Sequence, residues 1–154
     1  MTKRNEAGVK TYRIREVDGQ DDEIADTLAD LHVQTFLDSA PIPEFDSGHW
    51  WVAYLGVRPI AFAGMISSTL VDNAGYFCRV GVVKRYWGNS LQLRLMRALE
   101  IRARRNGWCC VLSDTTDNLV SANNFIRGGY RLYAPQCPWG WPNTLYWRKS
   151  IIGG

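Results

Sequence analysis

The apolar positions along this chain change their spacing several times, each time beside a glycine, a proline or an acidic residue. Thr11 to Val17 (TYRIREV) alternates polar and apolar, the period of a half-buried strand. Ile24, Leu28, Leu31 and Thr35 then recur every three or four residues, which predicts an amphipathic helix. Asp21 and Asp22 stand at its start, where carboxylates suit the unpaired amides. Two prolines break Ala40 to Gly48 (APIPEFDSG) into a loop. His49 to Leu55 and Pro59 to Thr69 are apolar and β-rich on either side of Gly56–Val57–Arg58, the pattern of a hairpin. Asp72–Asn73 turns the chain into a further strand, Tyr76 to Val83. From Ser90 the period is helical again. Leu91, Leu95, Leu99, Met96 and Ala103 share one face, and Arg97, Glu100 and Arg104 are expected outside. Gly107 stops that helix. Trp108 to Ser113 (WCCVLS) is a continuous apolar run, expected of a strand buried on both faces. Asn118 to Arg127 predicts a second short helix closed by Gly128 and Gly129. Tyr130 to Ala134 and Thr144 to Ile151 predict two last strands around a loop rich in Pro and Trp. The expected fold is one mixed α/β domain over residues 11–154, behind a polar, loose N-terminus of residues 1–10.

One stretch already carries chemistry. Between the strand ending at Val83 and the helix from Ser90, Gly88 lets the backbone approach a ligand closely. The amides of Gly88 to Gln92 have no partner inside the helix and carry the positive end of its dipole, so they could hold a phosphate. An ordinary strand–helix connection fits the same residues.

Composition narrows the class. The 154 residues carry a net charge of +3, too small to point to nucleic acid by itself. The charge is uneven. Asp18, Asp21, Asp22, Glu23, Asp26 and Asp30 crowd an early segment, while Lys84, Arg85, Arg94, Arg97, Arg102, Arg104 and Arg105 crowd the central one. A basic face beside a phosphate-sized site suits an anionic cofactor; a solvated helix face would look alike. Cys78, Cys109, Cys110 and Cys137 form no CxxC pair, so no metal site is expected. No signal peptide or membrane-length apolar run is visible, and the expectation is a cytoplasmic protein with no membrane partner.

Two motifs go further. Val82 to Gln92 reads VVKRYWGNSLQ, and the second short helix reads Asn118-x-x-Ser121-x-x-x-Phe125-x-x-x-Gly129-Tyr130. In these motifs, and in the order of its elements, the chain resembles the GNAT superfamily of N-acetyltransferases from about Thr11 to Ile151. The family's Arg/Gln-x-x-Gly-x-Gly/Ala motif fits in two registers. Arg85-x-x-Gly88-x-Ser90 keeps its letters; Trp87-x-x-Ser90-x-Gln92 keeps its spacing and is preferred. The resemblance implies a mostly antiparallel sheet, flanked by helices and splayed between its fourth and fifth strands, with acetyl-coenzyme A in the opening. Val82 and Val83 would pair the pantetheine as an added strand. Trp87, Gly88, Asn89, Ser90, Leu91 and Gln92 would hold the pyrophosphate, and Asn118, Ser121 and Phe125 would lie beside the thioester. It also implies direct acetyl transfer to a primary amine of a small molecule, protein or peptide.

The sequence departs from the family where a tyrosine usually protonates the leaving thiolate. Phe125 stands there and cannot donate a proton. Tyr130, Tyr133 and Ser121 are candidate replacements, although a thiol with a pKa near that of cysteine, about 8.5, can leave unassisted. Asp114 is the best-placed candidate base; a turn or cap aspartate is the other reading of it. Cys109 and Cys110 show no base partner that would make either a nucleophile. The loops PIPEFDSGHWW and APQCPWGWPN would form the acceptor site, with Glu44, Asp46 or His49 meeting the amine and Trp50, Trp51, Trp139 and Trp141 offering aromatic surface. The same tryptophans could plug the sheet end or join two copies, so monomer and homodimer both stay open. So do two other readings: an acyl-coenzyme A-binding module that has lost its chemistry, and a nucleic-acid partner using the central arginines.

Overall fold

The structure is a computed structural model and describes residues 11–37 and 39–152; the expectation for residues 1–10 lies outside the described residues. The elements are β1 (Tyr12–Val17), α1 (Asp22–Phe36), β2 (His49–Leu55), β3 (Arg58–Ser67), β4 (Ala74–Val82), α2 (Leu91–Arg105), β5 (Cys110–Thr116), α3 (Leu119–Arg127), β6 (Arg131–Leu132) and β7 (Thr144–Ser150). They form one seven-stranded sheet in the order β1-β2-β3-β4-β5-β7-β6. All neighbours are antiparallel except β4 and β5. Asp21 caps α1 through its carboxylate, which accepts from the amides of Glu23 and Ile24 at 3.0 and 3.1 Å.

The strand alternation sorts the core into two layers. On β2, Trp50 and Val52 pack with Leu28 and Leu31 of α1, while Trp51 and Ala53 face Leu91, Leu95, Met96 and Leu99 of α2. Both faces of the central strands are therefore covered, which is why β2 and β3 read as nearly unbroken apolar runs. Gly64 sits opposite Trp50 across the β2–β3 ladder, and the indole fills the space its missing side chain leaves.

β4 and β5 pair over only three residues, Ala74–Tyr76 with Cys110–Leu112. Beyond them β4 stays with β3 and β5 stays with β7, so the sheet opens between its fourth and fifth strands as expected. A bulge contributes on the β4 side: Gly64 pairs with Arg79 and Met65 with Phe77, leaving Cys78 as the extra residue.

Three local expectations are corrected. Glu100 is not outside but 4% exposed, because the turn at Gly128–Tyr130 and the strand β7 cover that part of α2. Its carboxylate meets Lys149 Nζ at 2.7 Å and accepts from the Tyr130 hydroxyl at 3.2 Å, as a buried charge requires. β5 starts two residues later than expected, since Trp108 N–H closes the α2 terminus on the Ala103 carbonyl. The strand expected at Tyr130–Ala134 shrinks to Arg131–Leu132, because Tyr130 N–H bonds the Phe125 carbonyl instead.

A Cβ at position 64 would lie 2.2 Å from Cζ3 of Trp50, whose ring has no empty space to move into. Gly64→Ala is expected to destabilise the fold by roughly 1–3 kcal/mol, measured by denaturant unfolding, as overpacked cores do.

Candidate active site

The opening between β4 and β5 is one continuous cleft of about 960 Å³. At one end lie the chain from Val82 to Gln92 and the first turns of α3. At the other lie Tyr76, Cys78, Arg79, Asp114, Trp139, Trp141 and the end of α1.

The first end is built by the start of α2. The first intrahelical bond runs from Arg94 N–H to the Ser90 carbonyl at 3.1 Å, so the amides of Leu91, Gln92 and Leu93 precede the ladder. Ser90 takes the N-cap position, but its hydroxyl caps nothing. Gly88 and Ser90 both have positive φ, 84° and 58°. Ser90 thus adopts a left-handed conformation that favours glycine, the letter the family motif has there in the spacing-preserving register. Trp87 anchors the turn through Nε1–H to the Val82 carbonyl at 2.8 Å, and Asn89 does so through its amide to the Tyr86 carbonyl at 2.8 Å. Gln92 occupies a position usually small, and its amide finds work there. It donates to Ser121 Oγ at 3.0 Å and accepts from Asn124 at 3.1 Å, tying α2 to α3. Asn118 caps α3 by accepting from Ser121 N–H at 3.0 Å. Val83 does not join this wall. Its N–H is taken by the Ile60 carbonyl at 3.0 Å, so the free edge of β4 ends at Val82.

At the other end, Asp114 Oδ2 accepts from the Tyr76 hydroxyl at 2.5 Å and from Trp139 Nε1–H at 2.8 Å. No described group donates to Oδ1. Burial, and then the Asp114 carboxylate, push the Tyr76 phenol far up, so it stays a proton donor to Asp114. Arg79 braces the wall behind. It donates to His32 Nε2 at 3.3 Å and to the carbonyls of Cys78 and Pro41 at 2.8 and 3.2 Å. The Cys78 thiol is pushed up to about 11 by burial, which makes it a poor nucleophile.

Not every residue singled out in the sequence reaches the cleft. Asp114, Ser121, Phe125, Asn118, Trp139 and Trp141 line it. Tyr130 does not: its hydroxyl is spent on Glu100, and burial raises its pKa far above the usual phenol. Tyr133 packs against Ala74, Cys110 and Leu112, and its hydroxyl is buried and unpartnered. Trp50 and Trp51 are core residues. His49 does not line the cleft; its side chain meets Asn106 at 3.0 Å and Glu16 at 3.8 Å. Glu44 is exposed, and neither it nor Asp46 lines the cleft. Phe125 is 2% exposed and stacks on Trp147, with Phe77 and Tyr130 edge-on. Tyr76 and Arg79 were missed. Their signal was the strand alternation of β4, but the bulge at Cys78 that re-aims it has no mark in the sequence.

A family model described as "Acetyltransferase (GNAT) family" matches residues 20–130. The chain belongs to the GNAT acetyltransferase family. No curated protein sequence matches it. Among solved structures it is similar to aminoglycoside 6'-acetyltransferase type Ii, at 18% identity and a TM-score of 0.74, over 92% of this chain and 99% of the other. An aminoglycoside 6'-N-acetyltransferase complexed with coenzyme A has 16% identity and a TM-score of 0.74, over 92% and 98%. A GNAT acetyltransferase from Staphylococcus aureus Mu50 has 15% identity and a TM-score of 0.69, over 92% and 99%. At these identities the likeness speaks to the fold alone. The cofactor of the GNAT family is acetyl-coenzyme A, and this GNAT chain has what such a group needs: an uncapped helix N-terminus for the pyrophosphate and an unpaired β4 edge for the pantetheine arm. Among the described residues no cluster could hold a metal ion, and no helix is long and apolar enough to cross a membrane.

Burial holds both histidines below their ordinary pKa of 6.5, with Arg79 adding to the effect at His32. The unfolded chain therefore takes up these protons first. Their contribution to stability is intact above about pH 6.5 and falls as the pH drops toward the folded values. Unfolding free energy should decline between about pH 7 and 5, with a shallower slope in His32→Gln; a stability that rises over that range would contradict the assignment.

Proposed function

We propose that this chain is an N-acetyltransferase that passes acetyl directly to a primary amine in the cytoplasm. The observation that carries the reading is one cleft joining an uncapped helix N-terminus to a carboxylate with a free oxygen, Asp114 Oδ1. The four free cysteines are consistent with a reducing compartment.

Bound acetyl-coenzyme A supplies the activated acyl group as a thioester. The amides ahead of α2 would hold its phosphates, and the unpaired β4 edge would hold its pantetheine arm. An acceptor arrives as an ammonium and must shed a proton before its nitrogen can attack. Asp114 takes that proton on Oδ1, while Tyr76 and Trp139 hold the carboxylate in place through Oδ2. The neutral nitrogen would then form the N–C bond as the thioester C–S bond breaks, with the electron pair and the second amine proton ending on sulfur. The thiolate, whose conjugate thiol has a pKa near that of cysteine, about 8.5, would leave without a side-chain acid. Ser121 Oγ accepts from Gln92, so its own hydrogen is free to face the cofactor end of the cleft. The bulge at Cys78 leaves a residue of β4 outside the ladder, a source of backbone donors for the thioester oxygen.

Calorimetric titration with acetyl-coenzyme A should give saturable binding near one per chain. Ser90→Pro should abolish it, since proline cannot adopt the positive φ there. Thiol release with primary amines should follow. Ser121→Ala should weaken cofactor binding about tenfold, the loss of one hydrogen bond. Binding without turnover of any amine would make the chain a binding module instead, and no binding would remove the proposal.

A further inference from the structure

The acceptor end of the cleft carries an aromatic wall that acetyl transfer by itself does not explain. Trp139 is locked in place. Its Nε1–H donates to Asp114 at 2.8 Å, and its ring stands edge-on to Tyr146 and Tyr76 at 4.5 and 6.4 Å between centroids. The next residue is pinned as well. Gly140 N–H donates to the Tyr146 hydroxyl at 2.8 Å, and a Cβ there would lie 2.7 Å from Thr144 Oγ1. Pro138 and Pro142 stiffen both sides of this short segment. Trp141 follows directly, lines the cleft, and is nevertheless 75% exposed. An indole held bare by a rigid loop is a ready stacking surface, since little freedom is lost when a flat ring covers it.

The charges around it are asymmetric. Among the described residues lining the cleft, Asp114 is the one carboxylate, and Arg79 and Arg127 are the cations. Asp114 has one oxygen left over from Tyr76 and Trp139. Arg79 bonds only neutral acceptors among the described residues, so its charge stays available to repel another cation. One free carboxylate oxygen suits one ammonium, and a second ammonium would meet a guanidinium.

Building on the acetyltransferase reading above, we propose that the acceptor is a primary amine carried on a flat aromatic body and bearing no second positive charge. Its ring lies against Trp141, and its nitrogen meets Asp114. The aminoglycoside acetyltransferases that share the fold are named for polyamine sugars; this wall is built for a different body.

The test compares tryptamine with spermine and kanamycin on the full chain, by thiol release with acetyl-coenzyme A and by calorimetry on protein saturated with coenzyme A. Tryptamine should exceed both polycations in kcat/KM by about tenfold or more. Trp141→Ala should raise its KM about tenfold with little change in kcat, and Trp141→Phe should restore most of it, as loss and recovery of one stacking contact predict. Cofactor affinity should be the same in all three proteins. A preference for the polycations, an unchanged KM in Trp141→Ala, or no tryptamine binding to protein that binds coenzyme A would each overturn the proposal. Failure of the wild-type chain to bind coenzyme A would instead strike the acetyltransferase reading itself.

Discussion

Beyond Tyr76 and Leu112 the two central strands share no ladder, and two side-chain bonds hold them instead. Ser113 Oγ–H reaches the Phe77 carbonyl at 2.8 Å, and the Tyr76 hydroxyl reaches Asp114 at 2.5 Å. These crossbars sit at the root of the opening. They satisfy polar groups that the lost ladder would otherwise leave bare, and they set where the two edges part. Everything functional follows from that wedge: a free β4 edge, room for a cofactor, and a carboxylate at the fork. The antiparallel blocks β1–β4 and β5–β7–β6 are each complete in themselves, so the opening costs the sheet little.

The element order was legible because the hydrophobic period changes at identifiable turn residues. The uncapped start of α2 was legible for a further reason: it rests on backbone amides, which survive the loss of both motif glycines. What stayed hidden were contacts between residues far apart in the chain. Glu100 looks like one more charge on a helix surface until β7 brings Lys149 to it. Trp50 and Trp141 read alike in a sequence, yet one fills the gap above Gly64 and the other stands bare in the cleft. His49 begins a strand next to the expected acceptor loop, but its ring turns to Asn106 at the end of α2 and not to the cleft.

The departures from the family pattern form a coherent set. Phe125 gives up a hydroxyl and gains a place in an aromatic stack with Trp147 and Phe77. Gln92 brings a long amide into a position usually small and uses it to orient Ser121. At the other end of the cleft, Arg79, Trp139 and Trp141 line the wall with Asp114.

The central claim is that the amides ahead of α2 and the unpaired edge of β4 together receive acetyl-coenzyme A. Amide hydrogen exchange with and without coenzyme A tests it residue by residue. The account predicts new protection at residues 88–93 and along residues 77–82, with little change in β1, β2 or the far end of α2. Protection elsewhere, with these two stretches exchanging as before, would contradict it.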